Sequence, residues 1–384
     1  MMKKYLAALT LCMAMGFPAA CLAGQQTEEL AILSGGDRVY REEDTVVVEF
    51  RGARDVVSSS VINGGYRKDL SAVLNNHYPG DQPMTVDAYI SSMNNLIKRF
   101  GYDPLKVSPM GTGVPMRNVV IKTAQYKEFV VTAVVTAGAE GNPGRVDDKA
   151  FYDSINTKKM PSPGTINIIL HMNADMPPGV LTRAIVTATE AKTAALQELI
   201  LGSRYSQGLA TGTGTDQIIV ISNPQAKFSI GDTGKHTKPG ELIGRVVKDA
   251  VKEALFLQNG FSGEKMHDID RRMSRFGISK QRIFEDYKKV KGDSAANKNL
   301  ESAFKKLNND GKTLVNTSLI AHLLDQYNWG LLSLEETSAA ADNILRDMCD
   351  GSETVLDLNR ATVNDIIGAW EKIILKKKKK EVEE

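Results

Sequence analysis

Gly208-Leu209-Ala210-Thr211-Gly212-Thr213-Gly214-Thr215-Asp216 runs directly into Gln217-Ile218-Ile219-Val220-Ile221. The first nine residues hold three glycines, three threonines and a carboxylate. The five that follow predict a buried strand. Before them, Val180 to Leu201 is a long alanine-rich segment with helical spacing. A glycine-rich, hydroxyl-bearing turn between helix and strand lets backbone N–H groups approach a ligand closely, although a tight turn with capping threonines is the plainer alternative. It is not a Walker loop, because no Gly-Lys-Ser/Thr ends it and the strand follows the loop.

Working outward, Thr165 to Asn173 is apolar at most positions and predicts a central strand covered on both faces. Small residues at Ala184, Ala188, Ala191, Ala194 and Ala195 predict a helix lying close on that sheet. Glu241 to Phe256 predicts a second amphipathic helix, with Leu242, Ile243, Val246, Val247, Ala250, Val251 and Leu255 as its stripe. Asn118–Thr123 and Phe129–Thr136 predict a hairpin, Thr45–Phe50 and Val56–Gly65 further strands, and Met84–Phe100 a helix. Gln25 to Glu43 reads as a polar lead-in. Beyond Gly260 strand signals vanish, and glycines divide a charged, helix-forming region into short pieces. The fold expected is α/β, a layered mixed sheet covered by helices over about residues 40–258. A small all-helical C-terminal domain over 262–375 and a solvated, charged tail over 376–384 follow it.

Met1 to Gly24 has two early lysines, an apolar run from Tyr5 to Phe17 and small residues up to Ala23, the pattern of an export signal over residues 1–23. Cleavage after Ala23 would release the protein to the periplasm or beyond. Processing before Cys21 is the alternative and would leave a lipid anchor on that cysteine. With 48 basic against 46 acidic residues, the balance does not favour nucleic acid as a partner. Three cysteines, two of them in the leader, exclude a disulfide framework, and no paired histidine spacing points to a metal cage.

Four polar glycine turns, Ser58–Gly65, Thr136–Asn142, Gly208–Asp216 and Gly234–Glu241, are expected to meet at one edge of the sheet. Together they offer hydroxyls, an amide, carboxylates and an imidazole, an inventory suited to amide or ester hydrolysis. Asp216 and Glu190 are the candidate general bases, His236 the proton shuttle, and Thr211 and Thr213 the candidate nucleophiles. Gly212 and Gly214 supply candidate oxyanion donors. The plainer readings make Glu190 a solvated helix residue, Asp216 a turn carboxylate and His236 a loop residue. Lys192 reads as a surface helix cation, and His171 as a core-edge histidine.

Thr187-Ala188-Thr189-Glu190-Ala191-Lys192-Thr193-Ala194-Ala195-Leu196 and Ala210–Asp216 closely resemble the adenosylcobinamide amidohydrolase family. Gly164–Ile168 and Gly240–Gly244 do so as well, and Ser58-Ser59, Asn63-Gly64-Gly65 and Thr136-Ala137-Gly138 match earlier motifs in order. The resemblance extends from about Thr45 to Phe256. It implies a corrinoid-salvage enzyme that cleaves the amide joining aminopropanol to the corrin ring's propionyl side chain. Ser58, Ser59, Asn63, Gly64, Asn142, Gly212, Gly214, Thr215 and Glu241 are then the candidate substrate contacts. No cofactor is expected, since the cobalt belongs to the corrinoid substrate. The rivals are an exported corrinoid-binding protein without chemistry, and an amidase for an unrelated small amide.

Overall fold

The structure is a computed structural model that describes residues 27–78, 85–150, 164–279, 281–283, 285, 305–308, 310–349 and 355–383. The expected export signal and Cys21 lie outside these residues.

The layered mixed sheet expected from the sequence is built as two sheets, stacked face to face. The first is built from β1 (Glu28–Ile32), β2 (Arg38–Glu42), β3 (Thr45–Glu49), β6 (Ala72–His77) and β7 (Val107–Thr112), in that order. The second has the order β5 (Gly65–Arg67), β4 (Asp55–Ser58), β13 (Gln217–Ser222), β11 (Ile166–Met172), β9 (Phe129–Ala137) and β8 (Val120–Tyr126). Neighbours are antiparallel except β6 with β7 and β11 with β13. Each parallel pair is bridged by a helix, as the crossover geometry requires: α1 (Val86–Arg99) and α2 (Pro178–Glu198).

β11 shows why the layers form. All seven of its residues are buried. Ile166, Ile168, Leu170 and Met172 pack with Leu181, Ala184, Ala188 and Ala195 of α2 and with Ile243, Val247 and Val251 of α3 (Lys238–Asn259). Ile169, one step out of phase, joins Val46, Val48, Val73 and Met110 of the other sheet. Val47, Leu74 and Ile97 close the far face under α1. The layers therefore run α1, first sheet, second sheet, α2 with α3. Alanines on α2 bring its axis close to the sheet, because a side chain one methyl long leaves nothing to hold the backbones apart. α3 begins at Lys238, ahead of the expected Glu241, with Thr237 accepting from the Gly240 N–H at 3.1 Å. Pro239 fits there, since the first helical turn leaves its N–H positions without intrahelical partners.

The helical region is α4 (Gly263–Met266), α5 (Ile269–Met273), α6 (Gly311–Asn328), α7 (Leu334–Met348) and α8 (Val363–Glu383). They pack Ile320, Leu324, Leu345, Ile366 and Ile374 around Trp370. The Trp370 indole N–H donates to Thr317 Oγ1 at 2.9 Å. The expected solvated tail is a correction: Lys376 to Lys380 continue α8, and Lys378 is buried, with Nζ donating to Asn308 Oδ1 at 3.1 Å. Among the described residues no helix is long and apolar enough to cross a membrane.

Candidate active site

Strand direction decides which turns can meet. β9 ends, and β11 and β13 begin, at one end of the second sheet, so the Thr136–Asn142 and Gly208–Asp216 turns share that end with Gly164 and Thr165. A two-residue ribbon ties them: β10 (Pro143–Gly144) pairs antiparallel with β12 (Gly212–Thr213). β4 also ends there, and Ser59 Oγ accepts from the Ile218 N–H at 2.9 Å. Three of the four expected turns therefore converge.

Asp216 organises them. Its Oδ1 accepts from the Ile166 N–H at 2.9 Å and lies 2.5 Å from Thr213 Oγ1. Its Oδ2 accepts from the Thr213 N–H at 3.0 Å and from Lys192 Nζ. The side chains of Lys192 and Asp216 are only 9% and 10% exposed. Lys192 is thus no surface cation. It falls one turn beyond Ala188 on the buried stripe of α2 and meets the loop from below. An ammonium and two backbone N–H groups hold the Asp216 carboxylate, with the Thr213 hydroxyl against its Oδ1, so both oxygens are engaged within the loop. Its geometry suits a clamp that fixes the loop, not a free base.

The hydroxyls extend this network. Thr165 Oγ1 lies 2.6 Å from Thr215 Oγ1, which donates to the Gly164 carbonyl at 2.9 Å. Thr213 Oγ1 also lies 2.8 Å from that carbonyl, so its one hydrogen goes either there or to Asp216. Thr211 Oγ1 accepts from the Val146 N–H at 2.9 Å. Asn142 is buried beside Gly164, whose φ is +137°. A Cβ at Gly164 would run into the Asn142 amide, its Cγ only 2.7 Å away. At Gly212 a Cβ would collide with Asp216 Oδ2 and stand 2.6 Å from Lys192 Nζ. Gly212→Ala is expected to lower stability by about 1–3 kcal/mol through this overpacking. A urea titration read by circular dichroism checks it, as a lower midpoint at unchanged slope.

The remaining candidates lie elsewhere or are engaged in the fold. Glu190 is exposed and pairs with Lys235 at 3.0 Å. Two residues from Lys192, it points to the opposite side of α2. His236 is exposed on the loop before α3, and Glu241 pairs with Lys238 and Arg245 on that helix. The Gly234–Glu241 turn packs on the first half of α2, where Thr187 Oγ1 donates to the Thr233 carbonyl at 2.8 Å. The loop instead meets α2 at Lys192 and Thr193, and Glu190, His236 and Glu241 make no contact with Asp216 among the described hydrogen bonds and ion pairs. Ser58 Oγ lies 2.9 Å from Ser108 Oγ. Asn63, at φ +49°, donates to the carbonyls of Pro104 and Val107 at 2.7 and 2.6 Å. Gly64 packs against the Ser60 carbonyl and Gly214 sits at the exposed tip of the loop.

Between the sheets at this end lies a polar seam that sequence reasoning missed. Asn75 Nδ2 donates to Thr136 Oγ1 at 2.8 Å. Asn167 Nδ2 donates to Asn75 Oδ1 at 2.8 Å and to the Gly111 carbonyl at 3.0 Å. The missed signal was alternation: Asn167, like His171 at the other end of β11, interrupts the apolar run on the face that meets the first sheet.

The helical domain borders the same loop. Arg275 forms a two-pronged ion pair with Asp325, one arm at 2.6 Å, and donates to the Gln207 carbonyl. Asn328 Nδ2 donates to Gln207 Oε1 at 3.0 Å. A cleft of about 270 Å³ opens between Arg145, Gln207 and Gly208 on one side and Asn328 and Trp329 on the other.

A family model described as CbiZ, adenosylcobinamide amidohydrolase, matches residues 31–263, both sheets and their helices included. An uncharacterized protein of Methanocaldococcus jannaschii is 36% identical over 235 residues, covering 58% of this chain and 90% of that protein. The crystal structure of the PH0078 protein from Pyrococcus horikoshii aligns over 59% of this chain and 80% of its own, at 9% identity and a TM-score of 0.32. A Burkholderia sp. beta-aminopeptidase aligns over 60% and 84%, at 11% identity and a TM-score of 0.28. At these scores neither solved structure informs the chemistry of this chain. The family match spans well over half of the sequence and contains the whole Asp216–Lys192 loop, and the chain belongs to the adenosylcobinamide amidohydrolase family.

Proposed function

We propose that this protein hydrolyses the aminopropanol amide of adenosylcobinamide-type corrinoids, giving adenosylcobyric acid and aminopropanol in corrinoid salvage and remodelling. The observation that carries the reading is the family match over residues 31–263, which takes in every glycine turn that converges on Asp216. The loop contributes rigid backbone amides and threonine hydroxyls at the mouth of the second sheet, the kind of polar edge that amide groups on a corrin periphery would meet. No separate cofactor enters the reading, because cobalt arrives with the substrate. The lysine-led apolar leader, Met1 to Gly24, supports an exported protein, released after Ala23 or anchored at Cys21.

The pairing of Asp216 with Lys192 favours a second reading, an exported corrinoid-binding protein that has the loop without the chemistry. Incubation of the full chain with adenosylcobinamide, followed by mass analysis, separates the two. Released aminopropanol with a corrinoid carboxylic acid supports the hydrolase. Corrinoid that co-purifies with the protein unchanged supports the binder and removes the hydrolase.

A further inference from the structure

Amide hydrolysis by water needs a basic group poised to take a proton, and the carboxylate of the glycine loop, Asp216, is tied to the Lys192 ammonium and to two backbone N–H groups. Residues 31–263 contain three histidines, His77, His171 and His236. His171 is 1% exposed between the sheets, its Nε2 3.0 Å from Asp37 Oδ2. His236 stands exposed on a loop with no carboxylate on its ring among the described contacts.

His77 is different. It is the last residue of β6, with its side chain 19% exposed and Nδ1 2.7 Å from Asp44 Oδ2. Its backbone N–H donates to the Asp44 carbonyl at 2.8 Å. Asp44 Oδ1 in turn accepts from the Met116 N–H at 3.1 Å, so the carboxylate is fixed from behind. An ionised carboxylate only accepts hydrogen bonds, so Nδ1 carries the hydrogen, and in the neutral imidazole Nε2 then presents a lone pair. That imidazole lines a groove of about 630 Å³ between the β2–β3 turn, the end of β6 and α1. Asn76, Ser92, Asn95 and Arg99 stand in the same wall, and Arg99 pairs with Glu43 at 2.5 Å. Two residues before His77, Asn75 reaches Thr136 and Asn167, so β6 ends at the same end of the sandwich as the glycine loop, with the groove on the α1 side of the first sheet.

We propose that His77, held by Asp44, is the general base for amide hydrolysis, with the scissile amide bound in this groove, an assignment that rests on the hydrolase reading above. His77 Nε2 takes a proton from water as the water oxygen bonds to the amide carbonyl carbon. Collapse of the adduct breaks the C–N bond, and the imidazolium returns the proton to the departing nitrogen. The products are a carboxylic acid and a free amine, with no further reactant. Asp44 is a positioning residue that fixes the tautomer.

The test follows aminopropanol release from adenosylcobinamide by the full-length chain and its variants. His77→Gln keeps a donor toward Asp44 but has no basic nitrogen. It is expected to lose kcat by at least about 100-fold with KM changed less than about threefold. His77→Ala is expected to lose the same activity and regain part of it on addition of imidazole. Asp44→Asn is expected to lower kcat about tenfold at unchanged KM. Turnover by His77→Gln near the wild-type level overturns the assignment. So does a folded His77→Ala variant that imidazole leaves inactive, or loss of fold in both His77 variants, which would make the residue structural. A wild-type chain that releases no aminopropanol removes the hydrolase reading itself, and this inference falls with it.

Discussion

Asp216→Asn is expected to destabilise the protein by about 3–5 kcal/mol, because it leaves the buried Lys192 ammonium without its counter-charge. The asparagine amide cannot replace the carboxylate: Asp216 accepts from Lys192 Nζ, two backbone N–H groups and Thr213, and the new NH₂ would face donors on whichever side it turned. The loop that these bonds hold together should slacken, so turnover of adenosylcobinamide should fall along with the denaturation midpoint. Lys192→Met in the same background should recover part of the loss, since an apolar side chain along α2 tolerates burial where a lone ammonium does not. A double-mutant cycle in urea measures this. Additive losses would show that the pair is not coupled.

Asp37→Asn should be as damaging, at the opposite end of the sandwich. Asp37 and Arg54 are 0% and 2% exposed, joined by two bonds of 2.7 Å, with His171 and the Arg51 N–H completing the set. Burial raises the Asp37 pKa, but the bonds from His171, Arg54 and Arg51 outweigh it and hold the carboxyl below its ordinary range. Stability from this group is therefore complete above the unfolded value near about 4, and drains away as pH falls through the depressed folded value. Removing the charge should cost about 3–5 kcal/mol at neutral pH, from the guanidinium left buried and unpaired. The gap between wild type and Asp37→Asn should shrink as the pH of the urea titration is lowered below 4. A gap that stays constant with pH would show that Asp37 contributes shape and not charge.

Much of the second sheet could be read from the chain because its signals are local. β11 is apolar nearly throughout, α2 bears alanine at helical spacing, and the β8–β9 hairpin turns at Lys127-Glu128, one residue beyond the Tyr126-Lys127 expected. Of the first sheet β3 was legible, as the apolar run Thr45–Phe50, while the other strands were opaque for equally physical reasons. β1 and β2 mix charged and apolar residues without alternation, like a solvated lead-in, β6 ends in Asn75-Asn76-His77, and β7 contains Pro109 and Gly111. What makes them strands is the apolar face they share with the other sheet, which no short window contains. The glycine loop was legible as a site, whereas its clamp was not. Lys192 looks like any helix cation until Ala188 and Ala195 on either side of it are seen to be buried. Glu190 carried the right chemistry on the wrong face of α2 and His236 on the exposed loop before α3, and His77 lay in a strand too polar to announce itself.

The junction at Gln207 gives the protein a built-in optical reporter. Both tryptophans of the chain lie in the helical domain. Trp370 is sealed in its core, while Trp329 is 46% exposed at the rim of the cleft beside Gly208. Emission sensitive to an external quencher therefore originates at the one indole that borders the glycine loop. Events at that loop can be followed in the unlabelled molecule.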